Sequence, residues 1–216
     1  MGTTAIWDSI IYRRLNEKKV AIPPRKDNNK TSYPGGYVKD PIKIGFSYNI
    51  ASFDLASLYP NIIVQWNMSP ETLIPKSETD YPHGVDAYLN SSNINVDPNH
   101  IVAANGSAYR RDKIGILPEI VAEIYSERKR IKKEMKSVKD KEKKARMDNE
   151  QMAIKILMNS LYGAMGNIYF RYYYLDIAEG ITLSGQLAIK TAEKYVNKAI
   201  NPKNHEGNPR LRRDQE

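Results

Sequence analysis

An α+β fold, with helices packed around a partial antiparallel sheet and a two-helix hairpin inserted into it, is what the sequence predicts. Three observations carry that expectation. Residues 50–55 read as a short apolar strand that gives way near Pro60 to a helix through Ile62, Ile63 and Trp66. Asn105-Gly106 stands as a hairpin turn signal between two short β-prone runs, Ile101-Val102-Ala103 and Ser107-Ala108-Tyr109. Between Ile116 and Tyr162, apolar residues recur at helical spacing on either side of a lysine-rich tip.

Taken in order, residues 1–30 start with a short helical piece around Ile6-Trp7-x-x-Ile10-Ile11 and turn polar after Pro23-Pro24, as the edge of a preceding domain would. Tyr33-Pro34-Gly35-Gly36 reads as a tight turn whose glycines admit close backbone approach. After the helix at Pro60, residues 68–111 are polar and rich in Asn, with the hairpin completing part of a sheet. Ile116-Leu117-Pro118-Glu119 opens the first long helix, with Pro in its first turn and Glu119 and Glu123 near its positive end. Residues 136–144 read as a charged connection, and a second helix runs from about Arg146 through Tyr162 to the glycines Gly163 and Gly166. The aromatic run at residues 168–174 predicts a strand, residues 181–199 a helix, and residues 203–216, with Leu211 as their one large apolar side chain, no core element.

Composition narrows the function classes. No apolar run is long enough to span a membrane, and Met1-Gly2-Thr3-Thr4 begins nothing like a signal peptide, so a soluble protein of the cytoplasm is expected. With no cysteine, disulfides and thiolate metal sites are excluded, and His83, His100 and His205 are scattered as surface residues would be. The net charge of +8 suggests a polyanionic partner, and its distribution says more than its size. Residues 128–146 hold eleven Lys or Arg against three acids, Glu134, Asp140 and Glu142.

Two places carry chemistry-bearing residues. Asp54 sits where a strand turns into a helix, beside the free amides of residues 55–59, an arrangement suited to a metal-bound polyphosphate; an Asp that merely caps a helix is the alternative. On the paired helices, Arg128 and Lys132 share one face, and Lys155, Asn159 and Tyr162 step along another. If those faces meet, a guanidinium fork and two ammonium groups can hold a triphosphate, whereas a solvated charge run would leave them unrelated.

The run Asp54-x-x-Ser57-Leu58-Tyr59-Pro60-x-Ile62-Ile63 resembles motif A of family B DNA polymerases, and Lys155-x-x-x-Asn159-Ser160-x-Tyr162-Gly163 resembles their motif B. Tyr33-x-Gly35-Gly36, the Phe170-Arg171-Tyr172-Tyr173 stretch and Ile181-Thr182-x-x-Gly185-Gln186 extend the likeness, toward the T-even phage members in particular. It covers residues 31–200. The resemblance implies a partial polymerase palm at residues 31–115, fingers at 116–166, and a second part of the palm at 167–216. It implies Asp54 as the catalytic carboxylate and, with the Leu55 backbone carbonyl, as metal ligand for two Mg²⁺ ions. Ser57, Leu58, Tyr59, Arg128, Lys132, Lys155 and Asn159 would bind the incoming deoxynucleotide, with Tyr59 as the sugar gate. Tyr162 and Gly163 would face the minor groove of the new base pair, and Tyr33, Gly35 and Gly36 the template strand.

Primer–template DNA and deoxynucleoside triphosphates are the implied partners, with a sliding clamp reached through other regions. No exonuclease domain and no Tyr-Gly-Asp-Thr-Asp-Ser-like motif C is present in these residues; Asp214 lacks the hairpin context such a motif needs. Two readings follow: a polymerase part that works with a separate polypeptide or segment supplying motif C and the thumb, or an inactive fragment that binds nucleotide or DNA. For Tyr59 the competing reading is a core tyrosine that anchors its helix.

Overall fold

Trp7, Ile11 and Leu15 recur every four residues and are all buried, which is why α1 (Thr3–Glu17) lies with one stripe against the rest of the chain. The computed structural model describes residues 2–40, 44–46, 52–91 and 93–199, together with the backbone of Ile200. Five helices surround the main core: α1, α2 (Leu58–Gln65), α4 (Ile116–Met135), α5 (Lys141–Met165) and α6 (Leu175–Ile200). A short helix, α3 (Val85–Asn90), packs on α6 through a small satellite cluster of Val85, Ala104 and Leu183.

Trp7 is the deepest link between the N-terminal helix and the rest, for its ring is fully buried. Its indole Nε1 donates to the Leu157 carbonyl at 3.0 Å and to Ser160 Oγ at 3.1 Å, both on α5. A buried indole needs such a partner, so the two bonds fix the rotation of α1 as well as its position. On the same helix Arg14 bridges to Glu119 and Glu123 at the start of α4, and Lys18, just past the end of α1, bridges to Glu119.

The predicted hairpin forms. β1 (His100–Val102) pairs antiparallel with β2 (Ala108–Arg110), with Ile101 opposite Tyr109. Gly106 takes φ +75, and a Cβ there would sit 2.8 Å from the Tyr81 carbonyl, so both the turn and the close approach require glycine. These two strands, with one isolated bridge from Leu73 to Tyr109, are the sheet among the described residues, smaller than the antiparallel sheet expected.

Several expectations are corrected. Residues 52–55 form no strand and are exposed, because no described strand lies beside them to pair their backbone; Ile50 and Ala51 fall outside the described residues. The aromatic run at 168–174 forms turns: Phe170 N bonds to the Asn167 carbonyl at 2.9 Å and Tyr173 N to the Phe170 carbonyl at 3.0 Å. Its β propensity yields to packing, since Phe170 and Tyr172 are drawn into the core while Arg171 bonds Asp8 and the Pro23 carbonyl. The second long helix begins at Lys141, earlier than residue 146, because Asp140 caps it by accepting from the amides of Glu142 and Lys143. The last helix likewise starts at Leu175. Gly35 and Gly36 make no tight turn and keep negative φ. Residues 201–216, with Asp214 and His205, lie outside the described residues.

Candidate functional site

The turn that carries Asp54 is built by the residues after it. Ser57 adopts the left-handed conformation at φ 52, unusual for a residue with a side chain, and serves as N-cap of α2 without any side-chain bond. Asn61 holds this conformation by donating from Nδ2 to the Ala56 carbonyl at 2.9 Å and from its backbone to the Ser57 carbonyl at 3.0 Å. Pro60 is buried and lacks an amide donor, so the helix entrance presents the amides of Leu58 and Tyr59 with no side-chain cap. Asp54 and Leu55 lie exposed just before this turn.

Tyr59 leaves α2 toward α5. Its ring centroid is 4.9 Å from that of Tyr162, and Tyr162 in turn meets Tyr33 edge-on at 6.4 Å. Three glycines make room for this junction. A Cβ at Gly36 would stand 2.9 Å from the Tyr59 hydroxyl, one at Gly185 would stand 2.9 Å from the Tyr59 ring, and one at Gly166 would overlap the Tyr33 hydroxyl. Gln186 Nε2 donates to the Gly35 carbonyl at 2.7 Å and pins the segment from Tyr33 to Gly36 against α6. Burial raises the Tyr59 phenol pKa, with a smaller push from Tyr33; burial and then the Tyr33 hydroxyl raise that of Tyr162 further. Both phenols therefore stay neutral across the physiological range and can donate or accept a hydrogen bond.

The basic residues occupy the α4–α5 pair. Arg128 is half-buried and donates from Nε to both the carbonyl and the side-chain oxygen of Gln151. Lys132, one turn further along α4, is exposed, as are Lys155, Asn159 and Gly163 on α5. The buried stripe of α5 runs through Gln151, Met158, Leu161 and Met165, so Lys155 and Asn159 flank the helix contact and face solvent. The two helices do pack together, and Arg128 bridges them; Lys132, Lys155 and Asn159 stay clear of protein partners among the described residues.

No group of three or more His, Asp or Glu side chains that could hold a metal occurs among the described residues. Asp54 is exposed, as is Leu55, and belongs to no such group. A cavity of about 560 Å³ lies elsewhere, between α1, the start of α4 and the turns at 171–174, and none of the sequence-predicted site residues lines it. Sequence reasoning gave Gly166 only the end of a helix, which it is, and gave Gly185 and Gln186 no site role. Gly185 and Gln186 stand in the Ile-Thr-x-x-Gly-Gln run, yet their contacts with Tyr59 and Gly35 join segments well over a hundred residues apart and leave no periodic trace.

The class is given by family comparison: the family model for DNA polymerase family B matches residues 3–214. The chain belongs to that family. It is 32% identical to the DNA-directed DNA polymerase of Escherichia phage RB69, over 90% of this chain and 27% of that protein. It is 31% identical to the DNA-directed DNA polymerase of Enterobacteria phage T4, over 93% of this chain and 28% of that protein. DNA polymerase 1 of Pyrococcus abyssi is 34% identical over 90% of this chain and 23% of its own length. The chain thus spans about a quarter of the length of the curated relatives it matches.

Proposed function

We propose that the chain is part of a template-directed, DNA-dependent DNA polymerase, and that it binds the incoming deoxynucleotide and primer–template DNA for nucleotidyl transfer. The observation that carries this reading is the Tyr59–Tyr162 contact, which ties the helix after Asp54 to the α5 helix that bears Lys155 and Asn159. In this reading residues 31–115 and 167–216 belong to the palm, and the α4–α5 pair forms the fingers. Lys132, Lys155 and the terminal nitrogens of Arg128 hold the triphosphate, and neutralise charge that grows on the leaving pyrophosphate. The Leu58 and Tyr59 amides at the positive end of α2 donate to phosphate oxygens, and Asn159 adds a neutral polar contact. Tyr59 packs beneath the sugar, Tyr162 and Gly163 face the base pair, and Tyr33, Gly35 and Gly36 lie toward the template.

Polymerases of this family generally use divalent ions, and such ions supply Lewis-acid stabilisation of the transferring phosphoryl group when bound. Asp54 and the Leu55 carbonyl are this chain's contribution to that site. A second carboxylate comes from a segment carrying motif C. Primer extension tests the reading: with Mg²⁺, this stretch alone gives no steady extension, addition of a motif C segment restores it, and Asp54→Asn in the restored assembly abolishes it. Losing one strong electrostatic element costs ~100 to 1000-fold, and losing a carboxylate that holds the ions costs more. Steady extension by these residues alone, or an unaffected Asp54→Asn assembly, overturns it. No helix among the described residues is long and apolar enough to cross a membrane.

A further inference from the structure

The outer end of the α4–α5 pair carries a charge imbalance that the nucleotide-binding residues do not use. Lys136, Lys139, Lys141, Lys143 and Lys144 are all exposed, and none of their ammonium groups has an ion-pair or hydrogen-bond partner among the described residues. The three acids nearby are already engaged. Glu134 pairs with Arg130 at 2.6 Å, Glu142 pairs with Arg146 at 2.6 Å, and Asp140 accepts the two amides that open α5. With Glu134 and Glu142 paired to arginines, Asp140 is the one carboxylate left against five lysines, so the tip keeps a net positive charge, and neighbouring like charges on helix faces repel one another. The end is also held in place, for Ile131 is buried between the helices below it and Asp140 caps α5.

We propose that this lysine tip is a docking surface for the phosphodiester backbone of nucleic acid, distinct from the residues assigned to the triphosphate. The proposal rests on the DNA polymerase reading for the presence of DNA. The choice among polyanions rests on what the tip lacks. Residues 136–144 contain one apolar residue, Val138, and no aromatic residue. A protein interface of ordinary strength needs an apolar or aromatic centre and is depleted in lysine. A membrane-surface helix needs an apolar face to bury. Backbone phosphates need only cations, and lysines, as point charges without a planar fork, hold them without reading bases. The expected binding is therefore independent of sequence and strongly dependent on salt.

The test uses the chain itself and a short fluorescently labelled single-stranded DNA, with anisotropy measured from about 50 to 200 mM KCl. The comparison is between the unmodified chain and a variant in which all five lysines become glutamine; a second variant with all five as arginine keeps the charge. Each phosphate contact contributes a slope of about −0.7 to log K against log salt on a single strand, so losing two to five contacts lowers its magnitude by about 1.4 to 3.5. The arginine variant is expected to keep the full slope, and both variants the thermal melt of the unmodified chain, since no ion pair is removed. A glutamine variant with an unchanged slope, in a chain that does bind DNA, overturns the tip assignment and leaves the polymerase reading standing. Absence of any salt-dependent DNA binding by the unmodified chain overturns both. Poly-glutamate or phosphatidylserine vesicles that compete as well as unlabelled DNA at equal charge overturn the nucleic-acid assignment, and weaker competition by both supports it.

Discussion

Arg128 and Gln151 are locked to one another: the guanidinium Nε donates to the Gln151 carbonyl at 3.3 Å and to its side-chain oxygen at 3.2 Å. This bond sets the register of α4 against α5 one helical turn before Lys155, and it uses only one of the guanidinium nitrogens. The two terminal nitrogens make no hydrogen bond or ion pair among the described residues.

A Lys155→Ala variant of the motif C-complemented assembly is therefore expected to lose both nucleotide affinity and turnover, by ~100 to 1000-fold in kcat/KM. With primer–template DNA at saturating concentration, Lys143→Ala, in the tip, is expected to change either parameter by no more than about threefold, the scale of an exposed charge. Single-turnover incorporation of one deoxynucleotide separates the two. Equal losses from both substitutions identify a diffuse basic patch and remove Lys155 from the triphosphate site.

The Tyr59 ring packs on Tyr162 and against Gly185 while remaining only half-buried, a placement compatible with the proposed sugar gate and with an anchor for α2 alike. In the proposed gate role it would discriminate through a clash with a 2′-hydroxyl. In the complemented assembly Tyr59→Ala is expected to raise ribonucleotide use relative to deoxynucleotide use by ~10 to 100-fold, on the scale of a filled or vacated apolar pocket. Competition between the two triphosphates on one primer measures the ratio. If deoxynucleotide and ribonucleotide use fall together, Tyr59 serves only to anchor α2.

Trp7 is expected to control stability and not specificity. Trp7→Ala removes a fully buried ring and the bonds to Leu157 and Ser160, which costs ~3 to 5 kcal/mol. Trp7→Phe keeps most of the volume and loses the indole donor, a cost of ~1 to 3 kcal/mol. Urea unfolding followed by far-UV circular dichroism ranks the two, and a Phe variant as damaging as the Ala variant places the whole effect in the hydrogen bonds.

The Arg14 cluster gives a pH dependence. Hydrogen bonding to Arg14 lowers the Glu123 carboxyl below its ordinary range, against a smaller opposing effect of burial. Since the folded value is depressed, its stabilising contribution is complete above the unfolded pKa of about 4.3 and is lost as pH falls through the folded value. The melting temperature of Arg14→Met is accordingly expected to lie below that of the unmodified chain at neutral pH, with the gap closing below about pH 4. A gap that persists in acid assigns the Arg14 contribution to packing of its stem.

Local signals were legible and long-range ones were not. The hairpin at Gly106, the helix entrance at Pro60 and the two long helices follow from turn chemistry and apolar spacing over a few residues. Residues 168–174 defeat such reasoning, since Ile168, Tyr169, Phe170 and the three tyrosines that follow have high strand propensity whether or not a neighbouring strand exists. Their fate is decided by Asp8, the Pro23 carbonyl and the core, all distant in sequence. Asp140 was countable as a charge in the tip, but its role as a helix cap depended on where the chain turns. At the candidate site, Asp54, Tyr59 and Lys155 stood out through motif spacing, whereas Gly166, Gly185 and Gln186 matter through what they lie against.

The α4 helix has a mechanical consequence of its own. Leu117, Ile120, Val121 and, less deeply, Ile124 pack it into the main core, whereas beyond them Ile131 lies outside that core cluster and Arg128 bonds Gln151 of α5. It is a cantilever clamped at one end, and Ile62 and Ile63 of α2 sit in the same core as the clamp. A load on the lysine-rich end, some 20 Å or more away at 1.5 Å per residue, acts as torque on the helix that follows Asp54. Amide hydrogen exchange along α4 is expected to slow steadily from Met135 toward Val121, tracing the stiffness of the beam.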